Sequence, residues 1–85
     1  MASSLTFSLR NDQMTDVTVT VIDARTNAAV VDNTPLNVGE RVAATIAAGS
    51  DERGSASWVF ASADGSVNSN KSKGDIREGE ELTLG

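Results

Sequence analysis

Two short stretches bring together the oxygen-bearing side chains that a hard cation needs. Asn11, Asp12, Thr15 and Asp16 occupy the first, and Asp51, Glu52 and Ser55 occupy the second, forty positions further along. Ca²⁺ takes about six to eight oxygens from carboxylates, amides, hydroxyls and backbone carbonyls, and acidic turns between strands can supply them without a helix. The same residues are also expected on conformational grounds alone, because Asp and Asn hydrogen-bond their own backbone in turns. A second constellation centres on Trp58, the only Trp. An exposed indole beside Asp64, Asn68 and Asn70 would offer a platform for the apolar face of a sugar and polar partners for its hydroxyls. Trp58 also shares a strand face with Phe60, the arrangement of a core residue.

The first pattern, two acidic or amide residues, two spacers and a hydroxyl, resembles the calcium loops of the βγ-crystallin family, whose domains are also duplicated. The aromatic and glycine-rich strand signatures of those domains are missing, there being no Tyr. Neither their fold nor their activity is therefore carried over. The spacing of an EF-hand is absent too.

Catalysis has little to draw on. With no Cys and no His there is no thiol nucleophile, no imidazole base, no zinc site of the usual kind and no disulfide framework. Lys occurs only at 71 and 73, and no Ser stands in a G-x-S-x-G or S-x-x-K pattern. Paired carboxylates can hydrolyse a glycosidic bond, but only in a cleft that fixes their separation. A chain of 85 residues has little material for one. The expectation is a protein that is not an enzyme.

Seven basic against twelve acidic residues give a net charge of −5. That balance repels a phosphate backbone and offers no basic stripe, so nucleic acid is not expected as a partner. No apolar run reaches the length of a membrane span, and Met1-Ala2-Ser3-Ser4 lacks the basic start of a signal peptide. Membrane insertion is not expected, and a soluble, cytoplasmic protein is the default.

Period-two alternation positions these residues. Leu5, Phe7 and Leu9 alternate with Thr6 and Ser8, and Val17, Val19 and Val21 with Thr18 and Thr20, each the mark of a strand with one buried face. Asp23 to Asn27 reads as a turn into a short strand at Ala28 to Val31, which Asp32-Asn33-Thr34-Pro35 then interrupts. Val42, Ala44 and Ile46 alternate again. A helix over Arg41 to Ala48 is the alternative, because the stretch is rich in Ala, but Gly39 and Gly49 bound it tightly. Ser57 to Ala61 is the last apolar strand, Asp64-Gly65 is a turn, and Ser66 to Gly74 is an exposed loop or a poor edge strand. Leu82 and Leu84 tie the chain end into a sheet.

Shifting the chain by forty residues lays Leu36, Gly39, Glu40 and Val42 over Ile76, Gly79, Glu80 and Leu82, and Asn11-Asp12 over Asp51-Glu52. Two pseudo-repeats of about 40 residues are the reading that follows. These elements predict one all-β domain over residues 1–85, a two-sheet antiparallel β-sandwich of Ig-like or Greek-key type, with a small, partly open barrel as the alternative. Leu, Ile, Val and Phe together come to only 19 of 85 residues, a thin supply for a core, which favours a homo-oligomer. The functional expectation is a non-catalytic binding or assembly module, carbohydrate-binding in the manner of a lectin. The alternatives are a calcium-binding structural domain and a purely structural, oligomerising protein, with no cofactor required.

Overall fold

Wherever the sequence alternates apolar and polar residues, the chain runs extended. In the computed structural model, which describes residues 3–85, seven strands follow one another: β1 (Ser3–Arg10), β2 (Val17–Asp23), β3 (Ala29–Leu36), β4 (Arg41–Ala48), β5 (Gly54–Ala61), β6 (Asn68–Ile76) and β7 (Glu81–Thr83). Met1 and Ala2, part of the N-terminal signal-peptide reading, lie outside the described residues. The Ala-rich stretch over Arg41–Ala48 is a strand, and its alternative as a helix is set aside. Val42, Ala44, Ile46 and Ala48 turn toward the core, so tertiary burial outweighs the helical preference of Ala. Among the described residues no helix is long and apolar enough to cross a membrane.

The strands form two sheets, ordered β4-β1-β7 and β3-β2-β5-β6. Their inner faces meet in one core. Leu5, Phe7 and Leu9 of β1 are buried there with Val19 and Val21 of β2 and with Trp58 and Phe60 of β5. Each such side chain contributes about 1.5–3 kcal/mol by leaving water. Every strand pair is antiparallel except β1 with β7, which run parallel in register Ser8↔Glu81, Leu9↔Leu82 and Arg10↔Thr83. The three-stranded sheet is thus mixed, which corrects the expectation of purely antiparallel sheets. The parallel pair arises because the chain crosses from β6 to the other sheet before running alongside β1.

One segment expected to break the sheet belongs to it, and another, read as a loop or a poor edge strand, is an edge strand. β3 continues through Asp32 to Leu36 instead of ending at Val31. Its position at the sheet edge makes Pro35 tolerable, since no further strand needs that missing N–H. The register shifts between Val19 and Val21, and Asn33 takes a left-handed φ of 43° at the irregularity. The polar run after Gly65 becomes β6, the opposite edge of the same sheet.

Two of the four crossovers between the sheets share one geometry. Asn37–Glu40 links β3 to β4 and Arg77–Glu80 links β6 to β7. In each, the Glu N–H donates to the carbonyl three residues back, at 2.9 Å and 3.2 Å. Each Glu carboxylate then accepts the N–H of the turn's first residue, at 2.9 Å from Asn37 and 3.0 Å from Arg77. Gly39 and Gly79 hold φ of 79° and 78°, the left-handed region where a side chain is strained. The two crossovers deliver β4 and β7 to opposite sides of β1.

A buried carboxylate ties one corner of the two sheets. Asp23, at the end of β2, is 2% exposed. Its Oδ1 accepts the Arg25 N–H at 2.9 Å and closes the turn into β3, while Oδ2 accepts the Ala47 N–H of β4 at 2.8 Å.

Candidate functional site

Because successive strand residues point to opposite faces, the core residues of β2 and β5 determine what their neighbours present outside. Val19 and Val21 face inward, so Thr18, Thr20 and Ile22 face out. Trp58 and Phe60 face inward, so Ser57, Val59 and Ala61 face out. The register then lines them up with the flanking strands in three rows. Pro35, Thr18, Ala61 and Asn68 form the first, and Ile22, Ser57 and Ser72, with Ala29, form the last. Between them Thr20, Val59 and Asn70 are joined by Asn33, whose N–H donates to Thr20 Oγ1 at 3.0 Å.

No charged residue stands in these rows, although 22% of the chain is charged. Val59, 43% exposed, is the largest apolar projection from β5 on this face. It separates two shallow hollows. One, of about 440 Å³, is lined by Ile22, Ser57, Asn70, Lys71, Ser72 and the Trp58 segment. The other, of about 170 Å³, is bounded by Thr18, Thr20, Asn33 and Ala61. Hydroxyls and amides around a small apolar ridge can hydrogen-bond a neutral, hydroxyl-rich surface without forming ion pairs.

Of the residues expected around a sugar, Asn68 and Asn70 lie on this face and are exposed. Trp58 does not present its ring there. It is 5% exposed on the core side of β5, and its Nε1–H donates to the Leu84 carbonyl at 3.0 Å. Burial of the ring and satisfaction of its single donor make it a core residue that pins the chain end. Asp64 sits in the turn between β5 and β6, beyond the Ala61–Asn68 end of the rows. The Ser62 hydroxyl (2.7 Å), the Ser66 N–H (3.0 Å) and the Ser66 hydroxyl (2.8 Å) all donate to its Oδ1. These donors favour the ionised form and draw its pKa down to about 2.

The residues considered for calcium fall at opposite ends of the molecule. Asn11–Asp16 follows the Arg10 end of β1, whereas Asp51–Ser55 follows the Ala48 end of β4, which pairs with Ser3. Many of their oxygens already serve the backbone. Asn11 is buried, accepts the Gln13 N–H at 2.8 Å and donates to the carbonyls of Thr15 and Leu36. Asp16 accepts the Val38 N–H at 3.0 Å and Asp51 the Arg53 N–H at 3.2 Å. Burial works to raise the Asp12 pKa, but hydrogen bonds from the Gln13 amide and the Gly85 N–H outweigh it and the net shift is downward. Asp51 and Glu52 border a hollow of about 360 Å³ lined also by Glu78, Arg53 and Arg77, so positive charge already stands among these carboxylates. Ser55 lies apart on β5. Among the described residues no three His, Cys, Asp or Glu side chains converge as a metal site would require.

No family model matches the chain, and no curated protein or solved structure matches it. The geometry of the sheet face is therefore what bears on function. Thr18, Thr20, Ile22, Ser57, Val59 and Ser72 were not expected in a site. The alternation of Thr with Val in β2 shows that they face outward, but only the pairing of β2, β5 and β6 shows that they form one surface.

Proposed function

We propose that this protein is a non-catalytic binding module whose working surface is the outer face of the four-stranded sheet. The ligand class that suits it is a neutral, hydroxyl-rich polymer, a polysaccharide chain lying across the strands. One observation carries the reading: three rows of cross-strand neighbours without a charge, on a protein of net charge −5. Rows without a charge offer no ion-pair partner to a charged ligand, and a neutral chain laid over them buries no charge that would have to be desolvated. The Thr, Ser and Asn groups of the rows supply hydrogen bonds while Val59 supplies apolar contact. Asn68 and Asn70 keep the role first given to them, and Val59 takes the place given to Trp58.

The sandwich itself reads as an Ig-like, Greek-key arrangement. The paired crossovers, together with the matching turns in which Asn11 caps Gln13 and Asp51 caps Arg53, support β2–β4 and β5–β7 as two copies of one unit.

Retardation in gels containing neutral polysaccharides tests the functional reading, with Val59→Lys as the control. The charge should abolish retardation while leaving the circular dichroism unchanged. Retardation that survives Val59→Lys, or none across a panel of neutral polysaccharides, would reject the sheet face as the site.

A further inference from the structure

Four strands end the two sheets: β3 and β6 in one, β4 and β7 in the other. An exposed edge invites pairing with another chain, and natural proteins blunt edges with charge, Pro, bulges or shortness. Three of these edges are blunted. β3 has Pro35, Asp32 and a break in register, β6 has Lys71, Lys73 and its own register shift, and β7 is three residues long and begins with Glu81. β4 has none of these features beyond Arg41 at its start. It runs eight residues in unbroken register with β1.

The groups that β4 presents outward are determined by its pairing. On β1, the Thr6 carbonyl and Ser8 N–H bond the β7 side, so Leu5, Phe7 and Leu9 bond β4 through Ile46, Ala44 and Val42. The odd-numbered residues of β4 therefore direct their N–H and C=O groups away from the sheet. The Ala47 N–H is taken by Asp23 at 2.8 Å. Arg41, Ala43 and Thr45 remain, a set symmetric about Ala43.

We propose that this edge pairs antiparallel with the same edge of a second copy of the chain, with the two-fold axis at Ala43. Ala43 then faces Ala43, and each Arg41 faces a Thr45. All three outward residues of both copies exchange backbone hydrogen bonds, and the two three-stranded sheets become one of six strands. The edge itself is compatible with a second copy: no acidic residue lies on β4, and its one charged residue, Arg41, is already paired with Glu81 of β7 at 3.2 Å, so two such edges meet without like charge between them. The two Arg41 residues stand four positions apart along the pair, roughly 14 Å, beyond the screening length of about 8 Å at physiological salt. The contact is smaller than the roughly 800 Å² per partner of a stable complex, so the dimer is weak, and added salt strengthens it by screening the repulsion between the two acidic bodies. The edge belongs to the sheet opposite the one that bears the uncharged rows, so either surface can fail its test without affecting the other.

Sedimentation equilibrium over a concentration series, at low and high salt, tests the proposal on the wild type, Ala43→Pro and Ala43→Lys. The wild-type mass should rise from 8.8 kDa toward twice that value, more so at high salt. Both variants should stay monomeric with unchanged circular dichroism. The Ala43 N–H points away from β1, so Pro there removes no bond of the sheet, and Lys covers the case in which Pro disturbs the strand. Exchange of the Ala43 and Thr45 amide protons should slow as wild-type concentration rises. A wild type that stays monomeric throughout, or a dimer that persists in Ala43→Lys, overturns the proposal. Exchange at Ala43 and Thr45 that stays fast at every concentration overturns it too, and leaves the edge to a strand from another protein.

Discussion

Two carboxylates show how differently the same group acts when its surroundings change. Asp23 is buried and bonds two backbone N–H groups from different elements. Asp23→Asn keeps the volume but replaces one acceptor oxygen with an NH₂ group aimed at a donor, leaving one N–H unpaired. The expected loss is about 1–3 kcal/mol, measured as a lower midpoint in urea with an unchanged slope. Asp64 is exposed, and three donors on one oxygen hold its pKa near 2 against an ordinary value of 3.8. Its folded pKa is depressed, so the stabilisation is fully present above the ordinary value and is lost as pH falls from there toward 2. The side-chain carboxyl carbon, followed by NMR, should titrate with a midpoint near 2. A midpoint near 4 would show that the Ser62 and Ser66 hydroxyls do not hold it. The sequence made Asp64 readable as a turn residue, since Asp-Gly is a strong turn signal. It gave no sign that Asp23 spans two sheets, because its partner Ala47 is 24 positions away and supplies only a backbone N–H.

Among the elements, β1, β2, β4 and β5 follow from alternation, because each has one face in the core and the other outside. The segments that escaped a clear reading are the edges β3 and β6, whereas the tie of the chain end into a sheet was legible in Leu82 and Leu84. An edge strand is held on one side only, and β6 buries little besides Ile76, so its side chains record little of the sheet it joins. The crossovers are the other legible part. Both Gly-Glu pairs, forty residues apart, proved to be the same turn, with left-handed Gly39 and Gly79 and the Glu carboxylate closing the turn on itself. A methyl group at either glycine would meet nothing within 4 Å, so substitution acts through the backbone alone. Gly39→Ala and Gly79→Ala should each cost about 1 kcal/mol, read from thermal or urea unfolding, and should add within error because the crossovers flank β1 on opposite sides. Gly54 behaves differently. A methyl there would lie 2.6 Å from Ile46 Cδ1 and 2.9 Å from the Ala47 carbonyl oxygen. Gly54→Ala should therefore disturb the packing of β4 on β5 and destabilise by about 1–3 kcal/mol.

For the whole molecule, the sequence established an acidic all-β chain and led attention to Trp58 and to the acidic turns. It did not reveal the surface on which the functional reading rests. Thr18 and Thr20 are separated from Ser57 and Val59 by nearly forty residues, and they become neighbours only through the register Thr20↔Val59 and Ile22↔Ser57. Trp58 misled because a lone indole serves equally as a platform or as core, and what decides is the Leu84 carbonyl that receives its N–H. The central claim is that the outer face of the four-stranded sheet, with its three uncharged rows, is the working surface. Its most direct test is to follow the backbone amides of ¹⁵N-labelled protein by NMR while adding a neutral polysaccharide that retards it in gels. The account predicts shifts concentrated at Thr18, Thr20, Ser57, Val59, Asn70 and Ser72, with the Asn11–Asp16 and Asp51–Arg53 turns unmoved. Shifts centred on those turns, or spread over the opposite sheet, would contradict it.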